Sequence, residues 1–489
     1  MAPTLELFDG STTINFADAS GNYGPRRGSI RFGAPETRSI LAGTMLRGVH
    51  YGPREISFPL WIKGSSVADL QTKIRDLHSM LAKAIRRQKF DQGTIVVLKT
   101  QLGDNDASDI SFRILSGALD LSPSSLDTVD VDTNNRIRNA LLTLLVEPFG
   151  RLAAVNLSQD TLENEQDSNA NYIDVTSITG THGAKLQFEV EEGGASAWTG
   201  SKKIWVAMRS GERRTDTLFI QGEAEDSFVE GTDPFDGTGG TFSTDGANAA
   251  HSSNTSGGQT AQARWTGNSG VGNTVAGYLN AGYVQYNIVA GSLPQGLFRV
   301  LVRGRIDSDV SAHAVGDVGF ALGWAYGAQS YTPVDGDEVY PSAHGEYQTI
   351  DLGELALPPH NVPDGYTGET LNLRIYLVQD DTAANVNFNE KVDWFIDYLF
   401  LLPIDEGVVT VDAVGDTHKV LIDGLSDTPG VYLINDSDEV VQQFATATGG
   451  PFDIGPEDTR IYVLRDDTGD PTSVTFIVNG NYTPLVADL

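Results

Sequence analysis

Residues 67–87, VADLQTKIRDLHSMLAKAIRR, carry the one long helical pattern in this sequence. Val67, Leu70, Ile74, Leu77, Leu81, Ala84 and Ile85 recur every three or four positions and form a single apolar stripe. Ser65 or Ser66 caps its start, Asp69 sits in its first turn, and Lys83, Arg86 and Arg87 sit where the helix dipole favours cations. Directly before it, residues 54–63 read REISFPLWIK. Ile56, Phe58, Leu60 and Ile62 alternate with Glu55, Ser57, Trp61 and Lys63, the period of a strand with one buried face. Pro59 cannot donate to a ladder, which predicts an edge or a bulge. An uncovered apolar edge invites aggregation, so this strand needs a cover. With one helix available, the rest of the chain must be built from strands, and the expected class is mainly β.

Strands are predicted at 93–99, 110–117 and 136–147, with a loop over DLSPSSLDTVDVDTNN. The length of 489 residues suggests about three domains of roughly 100–200 residues. The 53 Gly and 20 Pro fit strands joined by tight turns. With no Cys, disulfides, thiolate metal sites and cysteine nucleophiles are excluded. The N-terminus lacks the basic start and apolar core of a secretory signal, and no apolar run reaches the ~18–20 residues of a membrane helix.

The net charge of −32 is unevenly placed. Residues 1–150 hold 17 basic and 16 acidic side chains, whereas residues 151–489 hold 16 basic and 49 acidic. Such acidity repels nucleic acid and anionic membranes. The 44 Asp against 10 Lys fit either an ordinary acidic protein or one from a halophilic host. On the second reading the near-neutral first third is surface that partners hide. A nucleic-acid reading of Lys83, Arg86 and Arg87 lacks interleaved aromatic residues.

The order of a β-rich start, a strand ending in Gly-Ser, one amphipathic helix, further strands and the closing run LLTLLVEPFGR resembles the N-terminal domain of distal tail proteins of long-tailed (siphovirus-like) viruses. The resemblance covers about residues 1–151. It implies a tail-tube-like β fold, a homohexameric ring at the tail tip of a virion, and contacts with a tail tube protein and with baseplate hub or fibre proteins. It also implies that a neighbouring subunit covers the edge of 54–63. Ile56, Phe58, Leu60, Trp61 and Ile62 are then oligomer-interface residues.

Residues 152–222 contain the alternating segments AKLQFEVEE and KKIWVAMRS and read as a small β-sandwich or part of one. Residues 404–489 contain five short strands bounded by Asp, Gly or Asn turns and resemble the C-terminal sandwich of the same proteins. The two segments are either separate or one discontinuous sandwich around 223–403. Residues 223–403 open with EAEDSFVEGTDPFDG and close with KVDWFIDYLFLLP, an order that resembles jelly-roll carbohydrate-binding modules. That resemblance implies a structural calcium ion at Glu223, Glu225 and Asp397, with Asp393 in addition. Calcium takes about six to eight oxygen ligands, which suits these carboxylates; solvated turn acids are the alternative. It also implies aromatic residues that pack on sugars. Trp265, Tyr278, Trp324, Tyr326 and Tyr331 are the candidates, with core packing as the alternative.

Catalytic patterns are missing. None of the eight His residues falls in HxH or HExxH spacing, GASAWTGSK lacks the ending of a phosphate loop, and no GxSxG elbow occurs. The expectation is a non-enzymatic virion protein, with outer domains touching host surface glycans. A free extracellular or cell-surface carbohydrate-binding protein is the alternative.

Overall fold

The computed structural model describes residues 5–16, 23–25, 31–32, 37–42, 45–90, 93–101, 109–121, 136–162, 171–193, 202–215, 217–222, 227–230, 243–244, 261–265, 273–275, 278–288, 295–308, 318–326, 332–333, 339–357, 370–379, 392–414, 418–425, 429–435, 437–444, 453–466 and 475–486. The fold is mainly β, with several antiparallel sheets and one α-helix among the described residues. The chain divides into two compact units: Met1–Asn156 with Ile178–Lys185 and Tyr482–Leu489, and Leu157–Ser177 with Leu186–Asn481.

In the first unit an antiparallel sheet runs in the order Thr13–Asn15, Leu5–Phe8, Val97–Gln101, Asp109–Asp120, Arg136–Val146, Arg54–Lys63. Tyr23–Pro25 and Arg31–Phe32 then pair with the remaining edge of Arg54–Lys63. Pro59 falls in the gap between those two short strands, so the residue that lacks an N–H coincides with a break in pairing on that edge. Thr37–Ala42 and Met45–Tyr51 form a separate hairpin. The strand expected at 93–99 begins later, at Val97.

The helix Val67–Phe90 packs on Asp109–Asp120 and Arg54–Lys63. It buries Leu70, Leu77, Met80, Leu81 and Ala84. Each large apolar side chain so buried contributes about 1.5–3 kcal/mol before the entropy of ordering it. Val67 was expected in that stripe but is 56% exposed, and Met80 takes a core position instead. Gly117 permits the close approach: a Cβ there would stand 2.7 Å from Leu81 Cδ2 and 2.9 Å from Leu144 Cδ2. Ser66 Oγ accepts the Asp69 N–H at 3.1 Å, and Asp69 Oδ2 accepts the Ser65 N–H at 2.7 Å, which settles the start of the helix.

The first unit does not end at 151. Gly150 pairs with Val486, the Leu152 N–H donates to Pro484 O at 3.0 Å, and the His182 N–H donates to Leu485 O at 3.1 Å. Residues from three distant parts of the chain complete it.

In the second unit, strands from 152–222 and 404–489 interleave. Tyr172–Val175, Thr459–Arg465, Lys202–Ser210 and Val408–Val414 form one sheet. Ala184–Gly193, His418–Asp423, Gly430–Asn435 and Val440–Phe444 pair in a second. Two further sheets make the jelly roll. One runs Ser243–Thr244, Ala261–Trp265, Val392–Pro403, Gly296–Ser308, Gln348–Leu357. The other runs Ser227–Glu230, Tyr278–Ile288, Leu371–Gln379, Val318–Tyr326, Thr332–Pro333. Their facing apolar residues form one core, and the Trp394 indole N–H crosses it to Gly319 O at 3.2 Å.

The jelly roll is not a bead on a string. Leu301, Phe400 and Leu402, on the far face of its first sheet, share a cluster with Trp205, Tyr462 and Leu464 of the sandwich. The Thr349 N–H donates to Asp466 Oδ1 at 3.0 Å across the same junction. Tyr462 donates its hydroxyl to Arg214 O at 2.7 Å, and burial pushes its phenol up to about 12.

Candidate functional site

The expected interface strand lies inside its own unit. Ile56, Phe58, Leu60 and Ile62 are 0–1% exposed in the core that the helix closes. Both edges of Arg54–Lys63 are paired by strands of the same chain. This corrects the expectation that a neighbouring subunit covers the strand and that these four side chains meet it. The short partners Tyr23–Pro25 and Arg31–Phe32 do the covering, and the alternation has its ordinary cause, a sheet packed on a helix.

Trp61 is the exception, because it points to the other face. It stands opposite Gly24 in the register, and any side chain at 24 would collide with its ring. Around it, pair by pair, that face presents Pro59 beside Leu141, Ser57 beside Thr143, and Glu55 beside Leu145. Ala118 stands next to Thr143 and Ser116 next to Leu145 on the following strand. Leu145 is 38% exposed. The same face also carries charge: Asp120 stands beside Leu141, Arg31 beside Ser57 and Arg136 beside Lys63, so apolar and charged groups are mixed on it.

At one end of the same unit, Lys83 on the helix is paired with the fully buried Asp9. Asp9 Oδ1 also accepts the N–H of Thr12 at 2.6 Å and of Ser11 at 3.0 Å. Burial alone would raise this carboxyl; the Lys83 ammonium and those N–H groups outweigh it and hold the carboxyl well below the usual range.

The positions expected to hold calcium fall out differently. Asp397 is fully buried, and its carboxylate receives the Arg303 guanidinium, itself fully buried. Arg303 also stacks 4.7 Å from the centre of the Tyr347 ring. At Asp397 the positive charge is thus supplied by the chain itself. Asp393 is buried opposite Asp307, and Asp307 is held by Arg305 at 2.7 Å. Glu223 and Glu225 lie outside the described residues. Among the described residues no group of three or more His, Asp or Glu could hold a metal ion.

Of the five expected sugar-binding aromatics, Trp324 packs against the jelly-roll core, so it serves as a core residue. Trp265, Tyr278 and Tyr326 are placed in strands, but their side chains lie outside the described set, as does all of Tyr331. The structure assembles a different group. Val284, Tyr286 and Ile288, and likewise Leu371, Leu373, Ile375 and Leu377, face the core. The intervening Tyr283, Gln285, Asn287, Asn372, Arg374 and Tyr376 therefore share the outward face. Arg374 lies 3.8 Å above the Tyr283 ring, Tyr376 meets that ring edge-on at 5.5 Å, and Arg374 Nε donates to Gln285 Oε1 at 2.9 Å. Gln285 Nε2 donates to Asn287 Oδ1 at 2.7 Å. A period-two reading of GYVQYNI and LNLRIYLV contains this signal, since aromatic, amide and guanidinium groups alternate with apolar ones.

A cleft of about 340 Å³ in the second unit is lined by Arg209, Glu212, Asp405, Glu406 and Glu457. Arg209 is 1% exposed and is engaged by Asp405 at 3.3 Å, by Gln295 O and by the Phe298 ring. Nothing in that arrangement defines a nucleophile with its base. No helix among the described residues is long and apolar enough to cross a membrane.

No protein-family model matches the chain. No curated protein matches it either. Among solved structures the chain is similar to SPP1 Dit, described as a paradigm of the hub adsorption apparatus in phages infecting Gram-positive hosts; the match has 12% identity, covers 43% of this chain and 71% of that one, and has a TM-score of 0.23. It is also similar to a chain of the phage p2 baseplate in its activated conformation with Sr, at 10% identity, 81% and 98% coverage and a TM-score of 0.21. The form of that baseplate with Ca gives 10% identity, 83% and 99% coverage and a TM-score of 0.20. Likenesses at this level assign no residue and no role.

Proposed function

We propose that this chain is a non-catalytic structural protein of a viral tail tip. Its first unit associates with copies of itself into a ring that joins the tail tube to the baseplate or fibres. Its second unit contacts host surface glycans. The observation that carries the reading is the outward sheet face around Trp61, Pro59, Leu141 and Leu145, partly apolar and with charges of both signs at its margins, on a unit whose first 150 residues are nearly neutral. A net of −33 over residues 151–489, most of which belong to the second unit, makes that unit self-repelling. Copies can therefore approach closely through the first unit, while the acidic remainder is kept apart and hydrated. The sequence resemblance to distal tail proteins supports the same assignment.

Light scattering on the purified chain in high salt tests it. A closed assembly of about six copies is expected, the number that the resemblance to distal tail proteins implies, since a closed ring has a fixed count of copies. Trp61→Asp places a charge on the proposed contact and should return a folded monomer. A wild-type chain that stays monomeric at every concentration, or an assembly indifferent to Trp61→Asp, refutes the proposal.

A further inference from the structure

We infer that the outward face of the second jelly-roll sheet is a binding subsite for a neutral saccharide, built on Tyr283, Gln285, Asn287, Asn372 and Arg374. This rests on the reading of the second unit as the part that meets host glycans, and it names the site and the ligand class.

Three observations converge. The residues are in cross-strand register: Tyr283 opposite Tyr376, Gln285 opposite Arg374, Asn287 opposite Asn372. They therefore form a flat ladder of planar groups on a rigid support. Arg374 is locked between the Tyr283 ring and Gln285, and Gln285 is locked by Asn287. Each planar amide presents a donor and an acceptor side by side and the guanidinium presents donors alone, which suits adjacent sugar hydroxyls, and a fixed network loses little rotamer entropy on binding. Finally, the described part of this face carries no carboxylate, although 49 acidic residues lie within 151–489. A surface meant merely to stay hydrated would share the composition of its surroundings.

The third strand of the face shapes it. Its outward positions are Gly319, Ala321 and Gly323, and Tyr376 leans over Gly323 so closely that a Cβ there would meet its ring. With Ala321 and Val378, Tyr376 closes an apolar cluster at one end. The polar ladder stays open at the other, where Asn287 is exposed and Gln285, Asn372 and Arg374 are half-buried.

Charge decides the ligand class. One guanidinium already committed to a ring and an amide cannot offset the field of a unit with a net of about −33, so an acidic sugar is repelled on approach. A neutral pyranoside meets no such barrier, and its hydroxyls both donate and accept, as the polar groups of the ladder require.

Saturation-transfer NMR on the full chain tests this, with neutral gluco-, manno- and galacto-oligosaccharides as probes and oligogalacturonate as the charged control. Transfer to at least one neutral probe is expected, with affinity weakened about tenfold or more in Arg374→Ala and Tyr283→Ala and several-fold in Asn287→Ala. Asn287 is exposed, so its variant keeps the fold even where the other two disturb the sheet. The inference is overturned if no neutral probe shows transfer, if the charged control binds better, or if binding survives Asn287→Ala together with whichever of the other variants folds. Saccharide binding by a chain that stays monomeric would overturn the ring while leaving this site; a ring without binding would do the reverse.

Discussion

Replacing Asp397 by Ala leaves Arg303 charged, fully buried and without its carboxylate. Breaking a buried pair from one side costs about 3–5 kcal/mol, since the remaining ion keeps its desolvation penalty and loses its counter-charge. The Tyr347 ring recovers a small part of this through its contact at 4.7 Å. The second unit holds about 300 residues, so its unfolding entropy of about 2 cal/mol/K per residue makes 1 kcal/mol worth about 1.5 °C. The expected outcome in differential scanning calorimetry is a drop of about 4–8 °C in the transition of the second unit, with the first unit's transition unmoved. Arg303→Met with Asp397→Leu should recover most of it, because a well-packed apolar pair replaces the ion pair at little cost. The experiment also separates the arginine from calcium as the partner of Asp397. If the guanidinium holds that carboxylate, a chelator leaves the wild-type melting point unchanged. A drop smaller than about 2 °C in Asp397→Ala, or a chelator shift as large as the mutational one, refutes the reasoning.

Two further outcomes follow from other contacts. Asp9 is depressed in the folded state, so its contribution is complete above the unfolded value near 4 and is lost as pH falls below it toward the folded value. Asp9→Asn should lower the stability of the first unit by about 1–2 kcal/mol at pH 7 and flatten its dependence on pH in that acid window, as read from urea unfolding at several pH values. Replacing 223–403 by a short linker should leave the first unit folded but expose Trp205, Tyr462 and Leu464. Binding of a hydrophobic dye and loss of the sandwich transition are the expected readouts; a cooperative sandwich transition in the shortened chain would show that the shared cluster is dispensable.

The helix and the strand before it were legible because each pattern is long and amphipathic: period 3.6 over 67–87, then found as Val67–Phe90, and period two over 54–63. The partners of that strand were not. Tyr23–Pro25 and Arg31–Phe32 have three and two residues, too few to show any period. Without those short partners in view, the alternation of 54–63 has the pattern of an edge strand. The buried Arg303–Asp397 pair was equally hidden, since 94 residues separate partners that meet only after two sheet strands align. Acidic residue types and a family pattern suggested a metal at Asp397 where the fold places an arginine. The ladder of Tyr283, Gln285 and Arg374 was hidden for the same reason, since Gln285 and Arg374 lie 89 residues apart on strands that meet only in the folded sheet.

The pairing of Gly150 with Val486 also sets an order of events during synthesis. A ribosome releases about 330 further residues between the two, at roughly 5–20 residues per second. Val486 belongs to the core of the first unit, so the N-terminal part of the protein waits unfinished for that interval. A chain truncated before residue 482 would lack both that core residue and the strand that flanks Gly150–Arg151. The nascent first unit is thus held short of completion until translation reaches those strand residues, and prematurely ended chains are left without their finished sheet.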